Sequence, residues 1–443
     1  MSEQALIERP RLPGFSLADT EFLGDPVPMA ARAHREAPIF FDELSNSWIV
    51  TKYQDVAAIF SDHQTFSSRA AGRVPPPADL ASRAADFATD EIIFAIDPPE
   101  HTLARATMNY GFARKMVNPM AEYAAVVADQ IIDSVIERGE CNLITDVCYP
   151  FSMGVITEIL NLPKDLFADY RRWAEALFAL LVPKALDADD DIIATRLSEE
   201  EIHAKWSDLA DANVFLRDQV LARQKNPGED LISAMITARD DKGNAIDPGA
   251  VVRHAFSLMA AGFDTTATLL ANLVLLFSRN PDQLTLLKAD PSLATNAVEE
   301  GLRRQGSAVT AFRIATKDAV LRGQPIPRGS LICLLIPAAN LDAEMFPDPT
   351  KFDIQRSDAN RHLALGRGRH ACAGQPLVRV EAPVGLRKLY ERMPDLHIDL
   401  SQPIVYAPNF GVLTVTSMPA KWTPSGSLKA VQGRKTPTRI GEE

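Results

Sequence analysis

Cysteine is scarce. The chain has four cysteines in 443 residues, at positions 141, 148, 333 and 372, too few for a disulfide scaffold of this size. Cys141 and Cys148 stand seven apart in CNLITDVC, a spacing that suits neither a zinc knuckle nor a redox pair. With Cys333 they read as buried structural thiols. Positive charge is also in deficit, 46 Lys and Arg against 58 Asp and Glu for a net −12. Binding nucleic acid needs a positive surface, so a nucleic-acid partner is not expected. An uninterrupted apolar run is missing as well. The opening MSEQALIERPRLPGF is polar and holds two prolines, unlike a signal peptide or anchor. The longest apolar stretch, residues 259–277, is broken by Asp264, Thr265, Thr266 and Asn272, which argues against a membrane span. A cytoplasmic chain with no membrane association is the expectation.

Repeats, linkers and low-complexity blocks are missing between residues 20 and 420. Residues 20–422 are therefore expected to form one large domain, preceded by an extension over 1–19. The stretch TPSGSLKAVQGRKTPTRIGEE (423–443) turns small, polar and basic, the composition of a disordered tail.

What is present is a sizeable apolar fraction, 46%, arranged mostly at helical spacing. Residues 118–139 and 200–226 carry such patterns, the first with Pro119 near its start and Gly139 at its end. Shorter strand-like pieces lie at 47–52, 319–323 and 330–336, the last two joined by the turn QPIPRG. The longest predicted helix runs from Pro248 to Arg279, with Asp247 as N-cap and Asn280-Pro281 as its stop. At 1.5 Å per residue it spans about 48 Å, enough to cross a domain. Gly262 in mid-helix costs about 1 kcal/mol relative to alanine, and Asp264 needs a partner or water. Two accounts fit these costs. One is close helix packing at Ala260–Gly262, with the threonines bonding back to the preceding turn. The other is a locally opened helix beside a cavity, where Asp264 and Thr265 handle protons.

The loop LALGRGRHACAG (363–374) puts cations, glycines and one sulfur together. Gly366, Gly368 and Ala371 satisfy the relaxed dinucleotide fingerprint. That motif belongs after a buried strand with several βαβ units behind it, whereas SDANRHLAL precedes it here and little chain follows. Cys372 as an inert thiol, or as a nucleophile served by His370, is a second reading. A third is an axial ligand of haem iron, with glycines freeing backbone N–H groups for the sulfur and cations meeting the propionates. Only the third uses every unusual residue of the loop.

The loop resembles the signature of the cytochrome P450 superfamily, the haem-thiolate monooxygenases, which runs F-G-x-G-x-H/R-x-C-x-G. Other stretches resemble the family in the family's order. DPPEHTLAR (97–105) is similar to its propionate-binding helix and AGFDTT (261–266) to the oxygen-binding part of its central helix. Glu300-Gly301-Leu302-Arg303 is similar to the E-x-x-R motif, and FPDPTKFD (346–353) to the meander before the cysteine. The resemblance covers about residues 20–420 and is greatest to soluble bacterial members. It departs at Leu365, where the family has phenylalanine, and at Lys351, where many members have an arginine that bridges to E-x-x-R. Either Lys351 or Arg356 is left to take that place.

The resemblance implies a mainly helical fold with small β-sheets and a long central helix over haem b, bound non-covalently apart from a Cys372–iron bond. The thiolate's electron donation favours O–O cleavage. It implies His101, Arg105, Arg313 and His370 as propionate partners and Gly366 as part of the haem loop. Asp264 and Thr265 become the proton-handling pair, and Glu300 with Arg303 a structural ion pair. The implied activity is insertion of one oxygen atom from O2 into a small apolar or aromatic substrate, by hydroxylation or oxidative dealkylation. The pocket by family position draws on Phe94, Leu258, Ala261, Val309, Phe312 and Phe410, while Arg69, Arg73 and Lys184 offer a carboxylate anchor instead. No flavin pattern is visible, and an iron–sulfur centre needs more cysteines than remain. A separate ferredoxin with an NAD(P)H-dependent reductase is implied, docking at Arg114, Lys115, Arg367, Arg369 and Arg379. The rival readings are a peroxide-driven peroxygenase and a haem-thiolate sensor without turnover.

Overall fold

A computed structural model describes residues 9–17, 20–87, 92–183, 197–239, 243–407 and 411–426. Its axis is the helix Pro248–Arg279, whose bounds match those expected from the sequence. The Asp247 carboxylate accepts from the Ala250 N–H at 2.9 Å, and the Asn280 side chain donates to Leu276 O at 2.8 Å. Both ends are thus closed by local polar groups. The helix is apolar enough to cross a membrane by composition, yet its most apolar window is 78% buried inside the protein.

Helices Tyr149–Ile159, Phe167–Leu180, Glu199–Lys225, Ala294–Gln305 and Gln375–Arg392 surround it. Glycine permits two of these approaches. A Cβ on Gly262 would stand 2.8 Å from Ile156 Cγ1, and one on Gly301 2.4 Å from Leu273 Cδ2. Close packing therefore accounts for Gly262, and the helix stays unbroken through Asp264. The local opening considered above does not occur.

The remaining helices follow their sequence patterns with trimmed ends. Residues 118–139 form Met120–Val135, and residues 200–226 form Glu199–Lys225 behind a Ser198–Glu201 capping box. The largest sheet has the order Ile39–Asp42, Ser47–Val50, Leu331–Leu335, Thr310–Ala315, Phe66–Ser67. Its single parallel pair is Ser47–Val50 with Leu331–Leu335.

QPIPRG is not the turn between two strands, because Gln324–Ile326 itself pairs with Ala319–Leu321. The turn is Arg322-Gly323, with φ of 47° and 79°, the left-handed pair that a two-residue hairpin demands. Pro325 sits in this isolated two-stranded ribbon, where its missing N–H is tolerated. Of the expected tail, residues 427–443 lie outside the described residues, as do 1–8, 18 and 19 of the expected extension.

Candidate active site

The cysteine loop is a tight reversal. The Cys372 N–H donates to Leu365 O at 2.7 Å, and Gly366 and Gly368 take φ of +66° and +69°. A Cβ at Gly366 would lie 3.1 Å from His370 O, and one at Gly368 3.1 Å from Phe60 O, so both positions need glycine. Helix Gln375–Arg392 begins three residues after the cysteine, which aims its first amides at the sulfur. Burial pushes the Cys372 thiol up, opposed by the Gly374 and Gln375 N–H groups and by Arg105 and Arg379. At the other thiols burial meets less opposition, from the Thr310 side chain at Cys333 and from Arg138 at Cys141. Cys148 and Cys333 are fully buried and pushed far up by that burial, while Cys141 is pushed up to about 12.

Beside the loop four basic groups converge. The His101 and His370 rings lie 4.1 Å apart between centroids. Arg105 donates to Ala371 O, and its Nη2 reaches Cys372 O at 3.5 Å. Arg313, buried in the sheet strand Thr310–Ala315, spends one donor on Phe312 O at 2.7 Å. The groups repel one another. His370 is pushed down to about 3 by burial and then by Arg313, His101 and Arg105, and Arg313 to about 10 by burial. The acid that acts on His101 and Arg313, Asp97, is already held by Ser67 Oγ at 2.5 Å and the Ser68 N–H at 3.0 Å. His101 Nε2 and His370 Nε2 are buried without a hydrogen-bond partner among the described residues. Buried donors without acceptors carry a penalty. This cluster is chemically matched to a group carrying two carboxylates, so the donor set fits haem propionates.

Over residues 254–277 of the central helix, only Ala261, Gly262 and Thr265 are not buried. Ala261 and Thr265 are one turn apart and share a face, and Thr265 Oγ1 donates back to Ala261 O at 2.7 Å. Asp264 points elsewhere. It is buried, accepting from Tyr149 Oη at 2.8 Å and from Thr414 Oγ1 at 3.0 Å, and burial pushes its pKa up.

The E-x-x-R pair is fully buried, with Arg303 Nε 2.7 Å from Glu300 Oε2. Arg303 also donates to the carbonyls of Asn340, Pro349 and Lys351. The question between Lys351 and Arg356 is settled: Arg356 Nε reaches Glu300 Oε1 at 3.2 Å, whereas Lys351 turns outward to Asp353. Among the expected docking cations, Arg114, Lys115, Arg367 and Arg369 are exposed. Arg379 is instead bound to Glu299 at 2.6 Å, which also meets buried His362 at 3.1 Å.

The expected pocket residues are placed unevenly. Leu258 and Val309 are buried, Phe312 is half-buried, and Phe94 is 41% exposed. Phe410 and Lys184 lie outside the described residues. Arg69 pairs with Glu100 at 3.2 Å on the surface, and buried Arg73 lies 6.0 Å from the ring centroids of Phe87 and Trp206. Sequence reasoning missed Tyr149 and Thr414, which hold Asp264, and Glu381, whose Oε1 accepts from Thr266 at 3.2 Å. All three are distant in the chain from the residues they touch and belong to no motif.

The family model described as Cytochrome P450 matches residues 41–290 and 289–393. The chain belongs to the cytochrome P450 family. Among its relatives, the cytochrome P450 monooxygenase PikC of Streptomyces venezuelae is 31% identical over 91% of this chain and 92% of its own length. A steroid C26-monooxygenase of Mycobacterium tuberculosis is 30% identical over 94% of this chain and 99% of its own. The solved structure of cytochrome P450 CREJ with (4-ethylphenyl) dihydrogen phosphate superposes with a TM-score of 0.82 at 27% identity, covering 93% of this chain and 99% of that one. The P450 is thus an oxygen-incorporating oxidoreductase with haem b held through a cysteine thiolate, in the mainly helical fold of its family.

Proposed function

We propose that this P450 inserts one atom of O2 into a small apolar or aromatic molecule, by hydroxylation or oxidative dealkylation, with electrons from a separate ferredoxin and its NAD(P)H-dependent reductase. Cys372 is the iron ligand, and His101, Arg105, Arg313 and His370 take the propionates. The observation that carries the reading is the coincidence of two features. A basic cluster whose one acting acid, Asp97, is bonded elsewhere adjoins the amide-bonded thiol of Cys372, and between residues 254 and 277 the central helix is bared only at Ala261, Gly262 and Thr265.

When bound, haem supplies the iron at which dioxygen is activated. The chain's own residues do the rest. Gly374 and Gln375 amides donate toward the sulfur and favour its thiolate. Thr265 presents a hydroxyl on the bared helix face, and Asp264 behind it supplies protons. Glu300, Arg303 and Arg356 fix the segment that leads into the cysteine loop.

Phe312, Leu258, Val309 and Ala261 favour an apolar ligand. The names of the relatives, a steroid monooxygenase and a P450 bound to an ethylphenyl phosphate, supply the first probes. A steroid large enough to carry a C26 and 4-ethylphenyl phosphate are each titrated while the Soret band is followed. A shift on binding reports a ligand seated beside the haem and marks the ligand class; no shift with either, or with a wider apolar panel, counts against an apolar pocket. Product formed with ferredoxin and NADPH supports the monooxygenase reading. Product formed with peroxide alone supports the peroxygenase, which the intact Asp264-Thr265 pair disfavours.

A further inference from the structure

Asp264 is held in a way that suits a change of protonation. Each carboxyl oxygen has a partner, and both partners are hydroxyls: Tyr149 Oη at 2.8 Å from Oδ1 and Thr414 Oγ1 at 3.0 Å from Oδ2. Glu300 in the same protein meets the guanidinium groups of Arg303 and Arg356, which donate only. A hydroxyl both donates and accepts, so Asp264 finds a partner whether it is ionised or protonated. Tyr149 Oη has a second acceptor as well, Val415 O at 3.2 Å. With Asp264 ionised, the phenolic hydrogen points at Oδ1. With Asp264 protonated, the carboxyl hydrogen points at Oη and the phenolic hydrogen turns to Val415.

The face of the Tyr149 ring also lies under an exposed ion pair. The Arg171 guanidinium lies 5.0 Å from the centre of the Tyr149 ring, and Arg171 Nε bonds Glu175 at 2.9 Å on the same helix. The side chains of that pair are 43% and 55% exposed. The ring also meets that of Phe263, 5.8 Å away between centroids. A π-helical turn, Ile144–Cys148, runs directly into Tyr149, and such turns are frequent at functional sites.

We propose that Tyr149 is the outer positioning residue of the proton path, holding Asp264 and refilling it from water at the Arg171–Glu175 pair. The inference rests on the reading of Asp264 as proton donor. The step balances. Asp264 rotates away from its two hydroxyl partners, releases its carboxyl proton on the Thr265 side and returns as a carboxylate. Tyr149 gives its phenolic hydrogen to Oδ1 while taking one from a hydronium ion on the Arg171 side, which is left as water. One proton has then moved from solvent inward, and both side chains are restored. Burial, and then the charge of Asp264, push the Tyr149 phenol far up, so it gives and takes in one motion rather than forming a tyrosinate.

The test is Tyr149→Phe, which keeps the ring's contacts with Phe263 and Arg171. Haem content should stay as in the unaltered protein. Oxygen consumption supported by a plant-type ferredoxin, its reductase and NADPH should fall about tenfold, with a larger solvent isotope effect. An independent readout is the infrared C=O band of Asp264, identified by its loss in Asp264→Asn and measurable in the resting protein. It should shift in Tyr149→Phe. An unmoved band, or an unchanged rate and isotope effect, overturns the role of Tyr149. If Asp264→Asn itself turns over at the unaltered rate, the proton-donor reading fails first, and the role of Tyr149 with it. In the unaltered protein, rates in H2O–D2O mixtures should bow with deuterium fraction because two protons move together. A straight line overturns the relay.

Discussion

Arg356 Nε lies 3.2 Å from Glu300 Oε1, and so makes Glu300 the shared anion of two buried guanidinium groups. Arg356 also donates to Pro347 O at 2.7 Å and Asp348 O at 3.0 Å. The pair is a clamp on the segment leading to Cys372. Arg356→Ala should therefore destabilise the protein by about 3 kcal/mol, the usual cost of breaking a buried ion pair. Lys351→Ala should cost less than about 1 kcal/mol, because its partner Asp353 is met at the surface. Thermal unfolding of the two variants checks the contrast.

Arg313 lies buried among cations, and burial pushes its pKa down to about 10. A group whose cation is disfavoured by folding destabilises the folded state below that pH. Arg313→Leu should therefore raise the melting temperature of haem-free protein while lowering its retention of haem. Haem titration and thermal melts of the same samples separate the two effects. A fall in both would assign Arg313 to structure alone.

Glu299 predicts an acid-side loss of stability. Burial raises its pKa, but His362 and Arg379 outweigh that and hold it at about 2. Its folded pKa lies below its ordinary value, so the stabilisation is complete above about pH 5 and fades as pH falls toward 2. After allowance for solvent screening at Arg379 it amounts to about 2 kcal/mol. Denaturant melts between pH 6 and 3 should show Glu299→Gln less stable at pH 6, with the gap to the unaltered protein narrowed but not closed at pH 3.

Four exposed cations remain for a redox partner, Arg114, Lys115, Arg367 and Arg369, with Arg379 engaged by Glu299. Arg367→Glu should raise the ferredoxin concentration needed for half-maximal reduction several-fold and flatten its salt dependence. Arg379→Gln should change stability more than docking. Stopped-flow reduction at two ionic strengths distinguishes them.

The central helix was legible in the sequence because its ends are marked by local chemistry, Asp247-Pro248 and Asn280-Pro281. The cysteine loop was legible for a similar reason, since glycine, cation and thiol stand within ten residues. The hairpin at Arg322-Gly323 was misread because Pro325 and Pro327 look more like turn residues than an arginine at positive φ does. The partners of Asp264 were not legible at all. Tyr149 lies 115 residues before it and Thr414 lies 150 after, and a hydroxyl that bonds a buried acid has no spacing rule. The same holds for Arg379, which looks like a surface cation until Glu299 and His362 are brought beneath it.

The central claim is that Cys372 sulfur is bonded to haem iron as a thiolate. The direct measurement is the absorption spectrum of the purified, haem-loaded protein after reduction and exposure to carbon monoxide. The unaltered protein should give the strongly red-shifted Soret band of a thiolate-ligated carbon monoxide adduct, and Cys372→Ser should lose that band. A freshly prepared, intact protein that shows no such shift, or a Cys372→Ser variant that keeps it, would contradict the assignment.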